Sequence, residues 1–162
     1  MVNPVLDGIR DLLRREGIAF REVEHAPTYT SEESAKARGE DVRIGGKAIL
    51  MKTDDVFRLF VVSAARKVDS GAIKKQFGLK KLRFATADEL RDLTGLVPGS
   101  VPPFGEPILP FELFADPSVF ENERVAFNAG SLTNSIILAS HDYRRAANPT
   151  VLPIALPGEA AS

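Results

Sequence analysis

The sequence predicts an α+β fold built on a mixed, curved sheet. Short apolar and β-branched stretches suited to strands recur along the whole chain. Helical patterns are dispersed among them, and the two kinds of segment do not alternate in the regular βαβ rhythm of a doubly wound sheet. No internal repeat, low-complexity linker or composition break divides the chain, so residues 1–162 are expected to form a single domain.

Residues 4–16 place Val5, Leu6, Ile9, Leu12 and Leu13 at helical spacing, with Gly17 as the stop. Phe20–Glu24 alternates as a short strand ending at His25-Ala26-Pro27. Thr30 with Glu33 makes a capping box for a helix through about Arg38, closed by Gly39. Residues 48–52 and Val56–Ser63 read as a hairpin about Thr53-Asp54-Asp55, and the run Leu59, Phe60, Val61, Val62 reads as a strand covered on both faces. Asp69 or Ser70 caps a helix through Gln76, stopped by Gly78, and residues 80–85 form a short strand. Thr86 and Glu89 make a second capping box for a helix to about Leu93. Beyond a Gly/Pro loop, residues 110–114 are expected to form an edge strand, and Asp116-Pro117 to open a short helix to about Glu121. Arg124–Asn128 and residues 135–139 are two further strands, and Ser140 caps a last helix through about Ala147. Residues 149–153 add an edge segment, and residues 158–162 are expected to be a frayed tail.

Composition narrows the function classes. With 44% hydrophobic residues the chain is of ordinary globular type. No apolar run approaches the ~20 residues of a membrane span, and the start lacks the basic and apolar regions of a signal peptide. No membrane association and a cytoplasmic location are expected. The absence of cysteine excludes disulfides, thiolate zinc sites and a cysteine nucleophile. With only His25 and His141, no metal site is expected, and no cofactor is called for. The net charge of −1 argues against a dedicated, strongly basic DNA-binding domain. Charge is nevertheless segregated: Arg66, Lys67, Lys74, Lys75, Lys80, Lys81 and Arg83 stand against the single acid Asp69, and an acidic stretch follows. That basic stretch is either a solvated helix face or a patch for a polyanion.

No Gly-x-Ser-x-Gly elbow, Walker loop or dinucleotide fingerprint is present. His25 and His141 read as structural or surface residues. Three stretches stand out instead. Residues 94–105 hold three glycines and three prolines in twelve residues, so no helix or central strand runs through them. They are either a structural turn packed under Phe104 or a stiff loop whose Gly99, Ser100 and Val101 N–H groups receive a carbonyl or phosphate. Lys47 enters an apolar strand directly after Gly45-Gly46, and must either snorkel to water or meet an anion. Asn128-Ala129-Gly130-Ser131 is a small-residue loop between strands, either a plain turn or a second source of bare N–H groups.

Together these stretches resemble the YbaK/ProX family of aminoacyl-tRNA deacylases, whose domain is also inserted in bacterial prolyl-tRNA synthetases. The resemblance runs from about His25 to Arg145. It is carried by His25-Ala26-Pro27-Thr28-Tyr29-Thr30, the Gly46-Lys47 strand, the Val68-Asp69 helix start, the loop from Gly95 through Pro98-Gly99-Ser100-Val101 to Gly105, and Asn128-Ala129-Gly130-Ser131. It implies a barrel-like mixed sheet surrounded by helices. It also implies hydrolysis of the ester joining a wrong amino acid to the 3′ end of tRNA. In this reading Lys47 matches the family's functional lysine, holding the terminal adenosine or its phosphate. Gly46, Gly99, Ser100, Val101, Gly130 and Ser131 are the candidates for binding the aminoacyl carbonyl or ribose. Arg66, Lys67, Lys74, Lys75, Lys80 and Lys81 are the candidate tRNA contacts. Alanyl-tRNA members often have asparagine after the lysine and histidine in the late loop, where this chain has Ala48 and, approximately, Ala129-Gly130. Alanine specificity therefore does not carry over, and alanine, cysteine, serine and threonine all stay open. The competing readings are a non-catalytic tRNA- or synthetase-binding module and, more remotely, hydrolysis of a small-molecule ester or amide.

Overall fold

The structure, a computed structural model, describes residues 3–157. Its first helix, α1 (Pro4–Arg15), starts where the Asn3 side chain accepts the Leu6 N–H and buries Leu6, Ile9, Leu12 and Leu13. β1 (Phe20–Glu24) follows. Helix α2 (Ser31–Arg38) is capped by Thr30 and ends on Gly39 in the left-handed conformation. Glu33 does not close a full capping box: its carboxylate accepts the Tyr29 N–H, one residue before the cap. A 3₁₀ turn (Val42–Ile44) leads into the hairpin of β2 (Gly46–Thr53) and β3 (Val56–Ser63).

Helix α3 (Ser70–Phe77) is capped by Asp69, β4 (Leu82–Phe84) follows, and α4 (Ala87–Thr94) carries the complete Thr86–Glu89 capping box. Then come β5 (Leu113–Ala115), a 3₁₀ turn (Pro117–Phe120), β6 (Arg124–Asn128), β7 (Asn134–Ala139), α5 (Ser140–Ala147) and β8 (Thr150–Val151).

The strands form two sheets rather than one closed barrel. An antiparallel sheet runs β1-β7-β6, and a mixed sheet runs β4-β2-β3-β5-β8. β3 and β5 are parallel, as are β5 and β8. Among the described residues the sheets are bridged in parallel between Gly45 and Ala126. One apolar cluster, with Leu50, Leu59, Val61, Val125, Ile136 and Leu138, fills the space between the sheets and α1. A second, with Met51, Phe60, Val62, Ile73, Phe114 and Ile154, covers the far face of the mixed sheet under α3. The β2–β3 hairpin is thus buried on both faces, as its unbroken apolar run predicts.

Several expectations need correction. β5 is an interior strand between β3 and β8, with all its residues buried, not an edge strand. The short helix expected after Asp116-Pro117 is present as a 3₁₀ helix capped by the Asp116 side chain and ending at Glu121. Ser140 does not cap α5; its hydroxyl donates to the Asn122 carbonyl at 2.6 Å, and Ala139 occupies the cap position with no side-chain bond. The edge segment is present as β8. The expected tail at residues 158–162 lies outside the described residues.

Asp116 ties the C-terminal segment to the core. Its buried carboxylate accepts the N–H groups of Ser118, Ile154 and Ala155 at 2.9, 2.8 and 2.9 Å. Burial pushes its pKa up, but these hydrogen bonds together outweigh burial and hold it below the usual carboxylate value. Its contribution to stability is therefore complete above the unfolded pKa of about 3.9 and is lost as pH falls through the folded value. Asp116→Ala is expected to cost about 3 kcal/mol at pH 7 by leaving buried donors unpaired, lowering Tm by roughly 6–12 °C. Thermal melts of both proteins should show that gap narrowing on acidification below about pH 4. A gap independent of pH would contradict the assignment.

Candidate active site

β4 pairs with β2 only at Met51, Lys52 and Thr53, so the first half of β2 keeps an open edge. Along that edge lies a cleft of about 290 Å³. One wall is Gly45, Gly46, Lys47, Ala48 and Ile49. Also lining it are Thr28, Thr30, Ser31 and Ser34, from the segment before α2 and its first turn, and Gly99, Val101 and Asn128. Tyr29 stands on the rim, 74% exposed. Among the described residues, Arg38 and Lys47 are the charged ones lining the cleft, and no carboxylate lines it.

Lys47 is half-buried, and its Nζ donates to the Arg66 carbonyl at 3.1 Å, leaving further donors for a ligand. Desolvation lowers its pKa from the ordinary lysine value; the charge of Lys67 adds to this and that of Glu32 opposes it. Arg38 is more deeply placed, at 8% exposure. Its Nε donates to Ser135 Oγ at 2.9 Å and its Nη2 to Asn128 Oδ1 at 3.0 Å. Asn128 in turn donates to the Gly99 carbonyl at 2.7 Å, and His25 Nε2 lies 2.8 Å from Ser135 Oγ. One polar chain thereby joins the His25 turn, α2, the late loop and the Gly/Pro loop. Burial lowers the Arg38 pKa to about 10, so the guanidinium stays charged at neutral pH.

The candidate residues divide clearly by position. Gly46, Lys47, Gly99 and Val101 line the cleft together; Ser100, Gly130 and Ser131 do not. Ser100 is 1% exposed. Its hydroxyl donates to the Val97 carbonyl at 2.8 Å and its N–H points to the same oxygen, so it braces the turn from within. The Gly130 N–H is engaged by the Ser100 carbonyl at 2.9 Å, and Ser131 Oγ by Thr133. The Gly99 and Val101 N–H groups have no hydrogen-bond partner among the described residues. The Gly/Pro loop also has the structural character weighed for it: Phe104 is buried against Phe127 and Tyr143, and the Tyr143 hydroxyl donates to the Pro103 carbonyl at 2.6 Å.

The basic stretch also divides. Arg66 and Lys67 lie beside Lys47. Lys74 and Lys81 line a second hollow with Lys52, Asp54, Asp55 and Arg83 at the turn end of the hairpin. Lys80 and Lys81 sit on that turn through N–H bonds to Asp54, and Lys75 is carried by α3. The step from Lys47 to Thr53 along β2 spans about 20 Å.

The sequence reading singled out the stretches holding Asn128, Thr28 and Thr30 without giving these side chains a role, and it missed Arg38, Ser31 and Ser34. The available signal was α2 itself, whose inward residues are Ser34, Ala35 and Arg38 rather than an apolar stripe. Among the described residues no cluster of His, Cys, Asp and Glu is placed to hold a metal ion, and no helix is long and apolar enough to cross a membrane.

Comparison with known proteins bears on this geometry. The family described as "Aminoacyl-tRNA editing domain" matches residues 25–146. The Multifunctional Ser/Thr-tRNA deacylase ProXp-y of Escherichia coli (strain K12) is 35% identical over 147 residues, 87% of this chain and 87% of that protein. The proline–tRNA ligase of Shouchella clausii (strain KSM-K16) is 32% identical over 100 residues, 62% of this chain but 17% of the ligase. A crystal structure described as that of a proposed trans-editing enzyme for prolyl tRNA synthetase superposes with a TM-score of 0.82. It covers 97% of this chain and 100% of that one, and at 24% identity it speaks for the fold alone.

The half-buried setting of Lys47 has a measurable consequence. Amine-reactive labelling followed across pH should give Lys47 a midpoint below the 10.5 of an unperturbed lysine. A midpoint at or above that value would mean that the ammonium is solvated, outside the cleft.

Proposed function

The chain belongs to the aminoacyl-tRNA editing domain family, and on that premise we propose that it is a trans-editing deacylase removing serine or threonine from mischarged tRNA. The observation that carries the substrate choice is the set of hydroxyls lining the small cleft along the open edge of β2: Thr28 and Ser34, which bond each other at 2.8 Å, Thr30, whose Oγ1 accepts the Glu33 N–H, and Ser31. A wall of hydroxyls offers donors and acceptors to a substrate hydroxyl, and a site built for such a group rejects analogues that lack it. The naming of the Escherichia coli relative as a Ser/Thr-tRNA deacylase supports the same choice among the four small amino acids left open by the sequence.

The reaction makes modest demands. An aminoacyl ester is already activated, so positioning and a polarised carbonyl suffice without a strong protein nucleophile. Lys47 holds the terminal nucleotide at the mouth, close to Arg66 and Lys67, which meet the adjoining phosphates. Lys74, Lys75, Lys80 and Lys81 meet tRNA further along the hairpin. Gly46 lines the cleft while its missing side chain lets β2 approach Val125, and Gly99 and Val101 offer N–H groups to the aminoacyl ester. Ser100, Gly130 and Ser131 hold these loops in shape. The whole chain acts as one deacylase-like domain in the cytoplasm. The matching stretch within a proline–tRNA ligase supports association with a synthetase.

A panel of tRNAs charged with serine, threonine, alanine, cysteine or proline tests this reading by release of free amino acid. Seryl- and threonyl-tRNA should be hydrolysed at least about tenfold faster than alanyl-tRNA, and correctly charged prolyl-tRNA should be spared. Release no faster than in buffer from every member of the panel would leave the binding-module reading in its place.

A further inference from the structure

Among the described residues Arg38 has no carboxylate partner, although it is one of the most deeply placed cations there. Its Nε and Nη2 are held by neutral acceptors, Ser135 and Asn128, which fix the guanidinium plane. Its Nη1 has no hydrogen-bond partner among the described residues. That nitrogen lies beside Gly45, where an added Cβ would stand 3.6 Å from it, on the lining of the cleft. A buried cation set by two neutral bonds, with its remaining nitrogen beside Gly45 on a cleft whose described lining holds no carboxylate, is arranged for an oxygen that becomes negative there. Two of the amides expected to serve such an oxygen, those of Ser100 and Gly130, are engaged within the chain.

We propose that Arg38 Nη1, together with the free N–H groups of Gly99 and Val101, binds the carbonyl oxygen of the aminoacyl ester and stabilises it as an oxyanion. The inference rests on the deacylase reading and adds a catalytic residue to it. A water oxygen bonds to the ester carbonyl carbon, and the C=O π pair moves onto the oxygen facing Arg38. When that pair returns, the bond from the carbonyl carbon to the ribose oxygen breaks. The proton released by the attacking water ends on the ribose oxygen, giving free amino acid and a tRNA hydroxyl. Arg38 gains no proton and loses none; its charge meets one that exists only during the reaction. Lys47, nearer Arg66 and Lys67 at the mouth, is left for the terminal phosphate.

The test is Arg38→Gln on seryl-tRNA. Loss of one oxyanion donor predicts a fall in kcat of roughly 10²–10³-fold with KM within about twofold. Ser135→Ala removes the Nε anchor but keeps the guanidinium, and should retain kcat within about tenfold. Guanidinium ion added to Arg38→Ala should restore part of the lost rate. Circular dichroism melts verify folding of each variant. A raised KM with unchanged kcat would assign Arg38 to a phosphate and overturn the proposal. So would a Ser135→Ala loss as large as that of Arg38→Gln, with no rescue, which would make Arg38 a brace. A second arm is independent of turnover: binding of a seryl-adenosine phosphonate, a tetrahedral anion, compared with the planar amide. Wild type should prefer the phosphonate and Arg38→Gln should lose that preference; equal preference in both proteins overturns the proposal. An inactive wild type would sink the deacylase reading alone, while the phosphonate comparison still decides Arg38.

Discussion

The close approach of β2 to β6 at Gly45 and Gly46 is the constraint on which the site depends. Gly45 bridges Ala126, and a Cβ there would fall 2.8 Å from the Ala64 Cβ. A Cβ at Gly46 would stand 3.1 Å from Val125 Cγ1. Absence of a side chain at Gly46 lets β2 approach Val125 of β6, and at Gly45 it lets the chain pass Ala64 beyond the end of β3. From that contact the chain enters β2 with Lys47 as its next residue. β6 meanwhile ends at Asn128, which bonds the Gly/Pro loop through Gly99 and receives Arg38 from α2. One backbone contact thus places residues from five separate stretches around one cleft.

The cleft departs from the usual arrangement of a hydrolase. Two cations line it without a carboxylate, and neither histidine lines it. His25 braces Ser135, and Ser100 is closed into its own turn. Nothing within the lining is equipped as a strong nucleophile. That suits an activated ester, for which holding the substrate and receiving charge on the carbonyl oxygen are the principal requirements. The neutral anchors of Arg38 are consistent with this chemistry, because a permanent carboxylate partner would offset the field before the substrate arrived.

Local structure was legible in the sequence because its causes are local. Thr30, Asp69 and Thr86 cap helices, Gly39, Gly78 and Gly95 end them, and the hairpin turn follows from Asp54-Asp55. Long-range pairing was not legible. β5 is a three-residue strand whose interior position depends on parallel partners distant in sequence, and no period announces those partners. The division into two sheets depends on how far β2 and β6 run together, which the pattern of either strand alone does not state. At the site, Gly46, Lys47, Gly99 and Val101 stood out because glycine and lysine break the apolar pattern around them. Arg38 did not, since a basic residue in the last turn of a helix reads as a solvated partner of the helix dipole. Only the inward face of α2, polar where an apolar stripe belongs, marks it.

In the proposed site, chemistry occurs at the β2 edge with Lys47 fixing the terminal nucleotide. The most direct measurement is kcat/KM for Lys47→Ala on the best mischarged tRNA, with folding verified by circular dichroism. Displacement of the ester by about 1 Å predicts a loss on the order of 10²-fold in a fully folded protein, and Lys47→Arg should not restore it, because a planar fork does not replace a compact ammonium. Near wild-type turnover by Lys47→Ala would contradict the account and make Lys47 a snorkelling residue at the edge of a strand.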